Sequence, residues 1–257
     1  MDALFGTDWA GVLAFAAFVA FAAGVVKGVV GFAMPMVMIS GLSSVMPPDV
    51  ALAGLILPTL VTNLWQALRQ GPRAALQSLR RFRLFLLFGL VFMIAGAQLV
   101  PVLSAALMLL LLGIPVSLYG LTSLAGRPPR LPDNPGPTTE AGIGAVSGLM
   151  GGISGIWGPT TVAMLTALRT EKREQMRIQG VIFGMGSLVL TAAHVGSGVL
   201  NAQSGLFSAA LIAPAVLGLS VGFWVQDRIN QTAFRNLTLV VLVLSGLNLI
   251  RRGVLAL

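Results

Sequence analysis

Gly24-Val25-Val26-Lys27-Gly28-Val29-Val30-Gly31-Phe32-Ala33-Met34-Pro35 breaks an apolar run with glycines and restarts it at a proline. About half a chain later, Gly148-Leu149-Met150-Gly151-Gly152-Ile153-Ser154-Gly155-Ile156-Trp157-Gly158-Pro159 does the same. Both fit one template: Gly, three residues, Gly, two residues, Gly, three residues, Pro. Glycine permits close backbone approach and unusual dihedrals, and proline suits the first position of a helix. Each copy therefore reads as the end of one membrane helix and the start of another. A matched pair of Gly/Pro-interrupted apolar segments in two halves of a chain points to a transporter binding site.

The surroundings of both copies belong in lipid. The 257-residue chain is 56% hydrophobic and 9% charged, with a mean hydropathy of +0.91, against roughly 25% charged in an ordinary soluble domain. That length holds roughly eight spans of ~20 residues. A net charge of +8 would suit nucleic acid, but the arginines cluster in short segments between apolar runs. That is the positive-inside distribution, so the expected partner is the lipid bilayer and not nucleic acid. The chain has no Cys and one His, which excludes a disulfide framework and a multi-His metal site within one chain; no metal or cofactor is expected. Asp2 and Asp8, with no Lys or Arg beside them, lack the basic start of a cleaved signal peptide.

The proline-rich run Arg127-Pro128-Pro129-Arg130-Leu131-Pro132-Asp133-Asn134-Pro135-Gly136-Pro137 forbids a continuing helix. It divides the chain into a first membrane repeat, 1–124, a linker, 125–140, and a second membrane repeat, 141–257. In the first repeat the turn near 46–49 has no positive charge and the segment 69–83 has five arginines. In the second, the turn at 169–177 is basic and the turn at 197–205 is uncharged. The bias is reversed, so the two repeats are expected in opposite orientations. With 125–140 and 169–177 both cytoplasmic, residues 141–168 enter and leave the membrane on one side, as a re-entrant broken helix pair. The first copy does so from the other face; the competing reading makes the longer run 9–31 a plain crossing helix. The expected fold is an all-α polytopic membrane protein with two inverted-topology repeats, each a re-entrant broken helix pair plus three transmembrane helices.

Each break would present free N–H groups at a helix start, where partial positive charge favours anions. The eight acidic residues all fall at ends or in loops, whereas a cation carrier keeps a carboxylate in its path. Lys27 is the one basic residue inside an apolar stretch, beside the first break. A bound anion would offset the cost of its burial; otherwise it snorkels to an interface. The candidate substrate-binding residues are Lys27, Gly28, Gly31 and Pro35 at the first break, and Gly152, Ser154, Gly155, Trp157, Pro159 and Thr160 at the second. Asn63 and Ser187 join them, at equivalent places when Pro35 is matched with Pro159. Thr59, Thr62, Gln66, Gln179 and Thr191 lie nearby. For the polar residues the bland alternative is a hydrogen bond between helices, and for the glycines close helix packing. His194 is placed either to relay a proton or at an interface.

With these residues in view, the chain resembles the TauE/SafE sulfite-exporter family, also called TSUP. The two glycine motifs, Gly24 to Pro35 and Gly148 to Pro159, carry the resemblance, and the length, two halves and Arg-rich central segments extend it over essentially the whole chain. The family pattern commonly has Gly where this chain has Trp157, a departure expected to narrow or reshape the pocket there. The resemblance implies a bacterial inner-membrane permease for small, often sulfur-containing anions such as sulfite, sulfoacetate, other organosulfonates or thiosulfate.

The expectation is therefore a multi-pass transporter that moves a small anion by alternating access. With no Gly-xxxx-Gly-Lys-Ser/Thr loop the chain cannot itself use ATP, so the energy would come from a coupling ion, proton or sodium, or from the substrate gradient. A homodimer is compatible with this reading, although one chain holds both breaks. The rivals are a passive anion channel and a membrane subunit of a multi-component transporter. An intramembrane enzyme would need a nucleophile–base pair or metal ligands, which one His, no Cys and no carboxylate at depth do not supply.

Overall fold

The computed structural model describes residues 9–99, 104–127, 136–154 and 158–257. Among them every regular element is a helix. In chain order these are α1 (Trp9–Val30), α2 (Met34–Leu42), α3 (Pro48–Leu68), α4 (Pro72–Arg81), α5 (Arg83–Ala97) and α6 (Ala105–Leu124). There follow α7 (Pro137–Ser154), α8 (Gly158–Ala167), α9 (Lys172–Gly196), α10 (Ala202–Ala210), α11 (Ile212–Arg228) and α12 (Gln231–Val254). Among the described residues, six segments are long and apolar enough to cross a membrane: Ala10–Val30, Pro48–Leu68, Ala106–Leu124, Lys172–Gly196, Ala202–Arg228 and Gln231–Val254. Their outer faces carry large apolar side chains open to the surroundings, with Phe18, Leu206, Leu217 and Leu244 each more than 60% exposed. Such a surface suits lipid and not water. The protein is a multi-pass membrane protein.

Several boundaries differ from the expected ones for local reasons. Helix α1 has 22 residues, so at 1.5 Å per residue it reaches ~33 Å, enough to cross ~30 Å of hydrocarbon. That length fits the plain crossing reading of 9–31. The helix after the linker starts at Pro137, inside the expected linker 125–140, because proline at the head of a helix gives up an N–H that would have no intrahelical partner anyway. The run 206–225, expected as one span, lies within the span Ala202–Arg228, whose helix is interrupted at Leu211 between α10 and α11. Asn201 caps α10 by accepting from Gln203 N (3.0 Å) and Ser204 N (3.1 Å), a reciprocal capping box. The arginine-rich segment forms α4, a surface helix whose last turn carries Arg80 and Arg81.

The chain forms two units. The first comprises Met1–Pro72 and Met176–Asn230, the second Arg73–Gln175 and Gln231–Leu257. Each therefore takes helices from both halves of the chain. Within the first unit α1 packs along α11. A Cβ on Gly222 would run into the Val25 carbonyl, and one on Gly24 into the Ala215 carbonyl. Within the second, α7 packs along α5 in the same way: a Cβ on Gly96 would fall 2.6 Å from the Leu149 carbonyl oxygen, and one on Gly148 would strike the Gly89 backbone. The helix ends correspond too. Val30, Met34 and Pro48 in the first half match Ser154, Gly158 and Lys172 in the second at one constant offset. A core of Met34, Met38, Leu42, Leu55, Phe207 and Leu211 holds α2, α3 and α10 together in the first unit.

Candidate functional site

In the first unit the break lies between α1 and α2. Gly31 adopts φ 90° and Ala33 φ 73°. Glycine takes the left-handed conformation freely, whereas Ala33 there costs about 1–2 kcal/mol. The turn releases backbone groups at the end of α1 and the start of α2. Two glutamines satisfy the carbonyls. Gln66 Nε2 donates to Gly31 O (3.0 Å) and Met176 O (2.9 Å). The Gln179 amide nitrogen, oriented by its acceptors, donates to Val30 O (3.2 Å) and Gly31 O (3.1 Å). Helix α2 begins with no side-chain cap and with Pro35 in its first turn, so its positive end is not neutralised by a protein side chain.

Lys27 lies one turn before the break, 2% exposed, and it is the one charged residue among the buried polar side chains described. Its ammonium donates to Asn63 Oδ1. Asn63 in turn donates from Nδ2 to Phe183 O (3.1 Å), which fixes the amide with its oxygen toward Lys27. Asn63 is neutral, so a positive charge on Lys27 is hydrogen-bonded but met by no carboxylate among the described residues, a costly arrangement in an apolar interior. An ammonium has three donors, which leaves capacity for a further acceptor. Beside Asn63 on α3, Thr59 Oγ1 and Gln66 Oε1 are buried without a hydrogen-bond partner.

The remaining candidates of the first unit play other parts. Gly28 faces α11, where a Cβ would lie 2.7 Å from the Gly222 Cα; its place is at a helix contact. Pro35 is exposed. Ser187 is buried on α9 but donates to its own helix, to Gly184 O at 2.9 Å. Thr62 donates to Pro58 O at 2.7 Å and touches Met34 Sδ at 3.3 Å.

In the second unit α7 ends at Ser154 and α8 starts at Gly158, with Pro159 buried in its first turn. Gly155 and Trp157 lie outside the described residues, as does the Ser154 side chain. Gly152 sits in the last turn of α7, half-buried. Thr160 is brought against Ser147, with their hydroxyl oxygens 2.8 Å apart, and Thr161 stands 3.3 Å from the same serine. Ser147 and Thr160 line one part of a cleft of about 320 Å³ between α6, α7 and α8, whose walls include Pro115, Val116, Tyr119 and Val146. Every lining residue is uncharged. Ser147 is missing from the candidates, because a single serine in an apolar helix gives no signal until the fold sets it beside Thr160. The two breaks thus differ in chemistry: an ammonium at the first, hydroxyls at the second.

A family model, sulfite exporter TauE/SafE, matches residues 16–249. No curated protein and no solved structure matches the chain.

Proposed function

The chain belongs to the TauE/SafE family of sulfite exporters, which are membrane transporters of sulfite-type anions and not enzymes, and we propose that it carries a sulfur oxyanion or organosulfonate such as sulfite or sulfoacetate. The observation that carries this reading is the buried Lys27 ammonium, held by a neutral amide beside the break at Gly31. An entering anion would supply the missing negative charge at the point where its burial cost is already met by the fold.

In this reading Lys27 binds the anion, Asn63 positions Lys27, and the start of α2 adds its helix-end polarity. Thr59 and Gln66 hold unused polar atoms that can bond substrate oxygens or an accompanying water. Thr160, with Ser147, serves the second break, flanked by Gly152 and Pro159. The ammonium is sealed at 2% exposure, so binding must follow an opening, which supports a gated carrier with alternating access over a permanently open channel. The repeats 1–124 and 141–257 would then be inverted copies; the constant offset between their helix ends and the recurring α1–α11 and α5–α7 contacts support that. The membrane would be the bacterial inner membrane and the drive a proton or sodium gradient. A homodimer is not required, because one chain contains both breaks.

The test is flux of labelled sulfite and sulfoacetate into liposomes containing the purified chain alone, with and without imposed proton or sodium gradients. Saturable uptake that responds to a gradient is the expected result. Flux that never saturates would identify a channel. Absence of flux for any small oxyanion, from protein shown to be folded, would overturn the carrier and favour a subunit that needs a partner.

A further inference from the structure

Helices α6 and α12 of the second unit run antiparallel in close contact. A Cβ on Gly253 would lie 3.2 Å from Ala106 O, one on Gly113 2.9 Å from Gly246 O, and one on Gly120 3.6 Å from Leu239 O. As α6 advances, its partners on α12 run backward, so the last turn of α6 meets the first turns of α12. Tyr119 and Ser123 lie one turn apart on that end of α6, and Arg235 and Thr238 one turn apart on α12, the spacing that places both pairs on single faces. Ser123 and Arg235 are the polar neighbours of the Tyr119 hydroxyl.

This cluster is unusual in what it leaves undone. Thr238 Oγ1 and Arg235 Nε are buried without a hydrogen-bond partner, and the buried Tyr119 and Ser123 hydroxyls have only each other. Arg235 also makes no ion pair among the described residues. Native proteins leave only a few such atoms per ~100 residues, and each calls for an explanation. Two at one helix junction, one of them on a guanidinium, with a hydroxyl pair on the facing helix, point to a ligand. The donor set defines its chemistry: a guanidinium fork and three hydroxyls match a tetrahedral oxyanion of the phosphate class.

We propose that Tyr119, Ser123, Arg235 and Thr238 bind the phosphate of an anionic phospholipid headgroup. Two further observations favour a lipid over free phosphate. The site lies where α6 ends, next to the arginine-bearing segment that the positive-inside rule assigns to the cytoplasmic side, where anionic headgroups gather. Tyr119 also lines the cleft between α6, α7 and α8, whose Pro115, Val116 and Val146 walls offer an acyl chain an apolar path. Val146, 60% exposed, stands open to the bilayer. The headgroup site uses neither break, while its acyl path shares the cleft that Ser147 and Thr160 line.

The test uses the full chain, purified and stripped of lipid, then offered phosphatidylglycerol or inorganic phosphate. Bound lipid is counted by native mass spectrometry, and the unfolding temperature is followed with each probe. Wild type is expected to retain phosphatidylglycerol about tenfold better than Arg235→Gln, the scale of losing charge-assisted bonds. Tyr119→Phe, which keeps the ring, should show a smaller loss and covers the case in which Arg235→Gln does not fold. Arg252→Gln, an exposed arginine at the other end of α12, should match wild type. If inorganic phosphate alone protects the protein through Arg235, the oxyanion site stands and the lipid is overturned. If Arg235→Gln and Tyr119→Phe bind both probes as wild type does, water satisfies the cluster and the proposal fails.

Discussion

The Lys27 ammonium donates to the Asn63 side-chain oxygen one turn before the chain breaks at Gly31. Because Asn63 Nδ2 is committed to Phe183 O, the amide cannot turn over without losing that bond, and its oxygen stays toward Lys27. Asparagine brings a dipole and no charge. The pair therefore holds a cation in the interior while leaving it electrostatically open to an anion, which an aspartate at the same place would prevent.

Replacing Lys27 with Met separates stability from function. Methionine keeps most of the length of the side chain and removes its charge, whose burial is costly. Lys27→Met is expected to lose anion flux by about a hundredfold, roughly the 3 kcal/mol that a charge-assisted contact supplies, while unfolding at the same or a higher temperature. Thermal unfolding and flux measured on one preparation check this. A variant that unfolds earlier yet transports normally would show that Lys27 is a structural residue.

Asn63→Asp asks the complementary question. A carboxylate there would pair with Lys27 and occupy the position of the substrate charge. The folded protein should survive, because the ion pair with Lys27 offsets the lost donation to Phe183 O, but anion transport should fall at least tenfold. Asn63→Leu would instead leave the ammonium without its acceptor and cost about 1–3 kcal/mol of stability. Normal flux in Asn63→Asp would place the anion site elsewhere.

The position of each break was legible because glycine and proline act locally: α2 and α8 begin at Met34 and Gly158, beside the prolines that announced them. Lys27 was legible because a charge stands out in an apolar run. The division of labour among the glycines was not. Gly24, Gly28 and Gly31 fit one template, yet the first two face α11 and the third makes the turn. Which of Asn63 and Gln66 would hold Lys27 and which would hold the Gly31 carbonyl depends on how α1, α3 and α9 meet, and the periodicity of no single helix records it. The pairing of α1 with α11 joins residues from opposite halves of the chain, beyond the reach of any local pattern. The same holds for Tyr119 and Arg235, which only the contact of α6 with α12 brings together.

Gly31 and Gly71 have nearly the same backbone, φ 90° and φ 89°, in different surroundings. A Cβ on Gly31 would enter the Gln179 amide and crowd Met176 Sδ at 2.8 Å, whereas nothing lies within 4 Å of one on Gly71. Both alanine variants bear the backbone strain of about 1–2 kcal/mol; Gly31→Ala also displaces a capping side chain that serves two carbonyls. We expect Gly71→Ala to stop at the strain and Gly31→Ala to lose at least a further ~1 kcal/mol, read from denaturation in matched micelles. Equal losses would mean that the Gln179 caps contribute nothing measurable.

Gly148 and Gly142 give the corresponding contrast on α7. Both are helical, and alanine is the better helix former by about 1 kcal/mol. At Gly142 nothing lies within 4 Å of the added methyl, so Gly142→Ala should leave stability unchanged or raise it slightly. At Gly148 the methyl would lie 2.7 Å from the Gly89 Cα, with the Gly89 carbonyl closer still. Backbone cannot swing aside as a side chain does, so α5 and α7 must separate and give up contact along their length. Overpacking of that kind costs about 1–3 kcal/mol, enough to outweigh the propensity gain. The same argument applies in the first unit to Gly24 against Ala215, since the contact recurs there. Gly148→Ala and Gly24→Ala should therefore both lower the unfolding temperature while Gly142→Ala does not. If Gly148→Ala is as stable as wild type, the close approach of α5 to α7 is not a constraint on the folded protein.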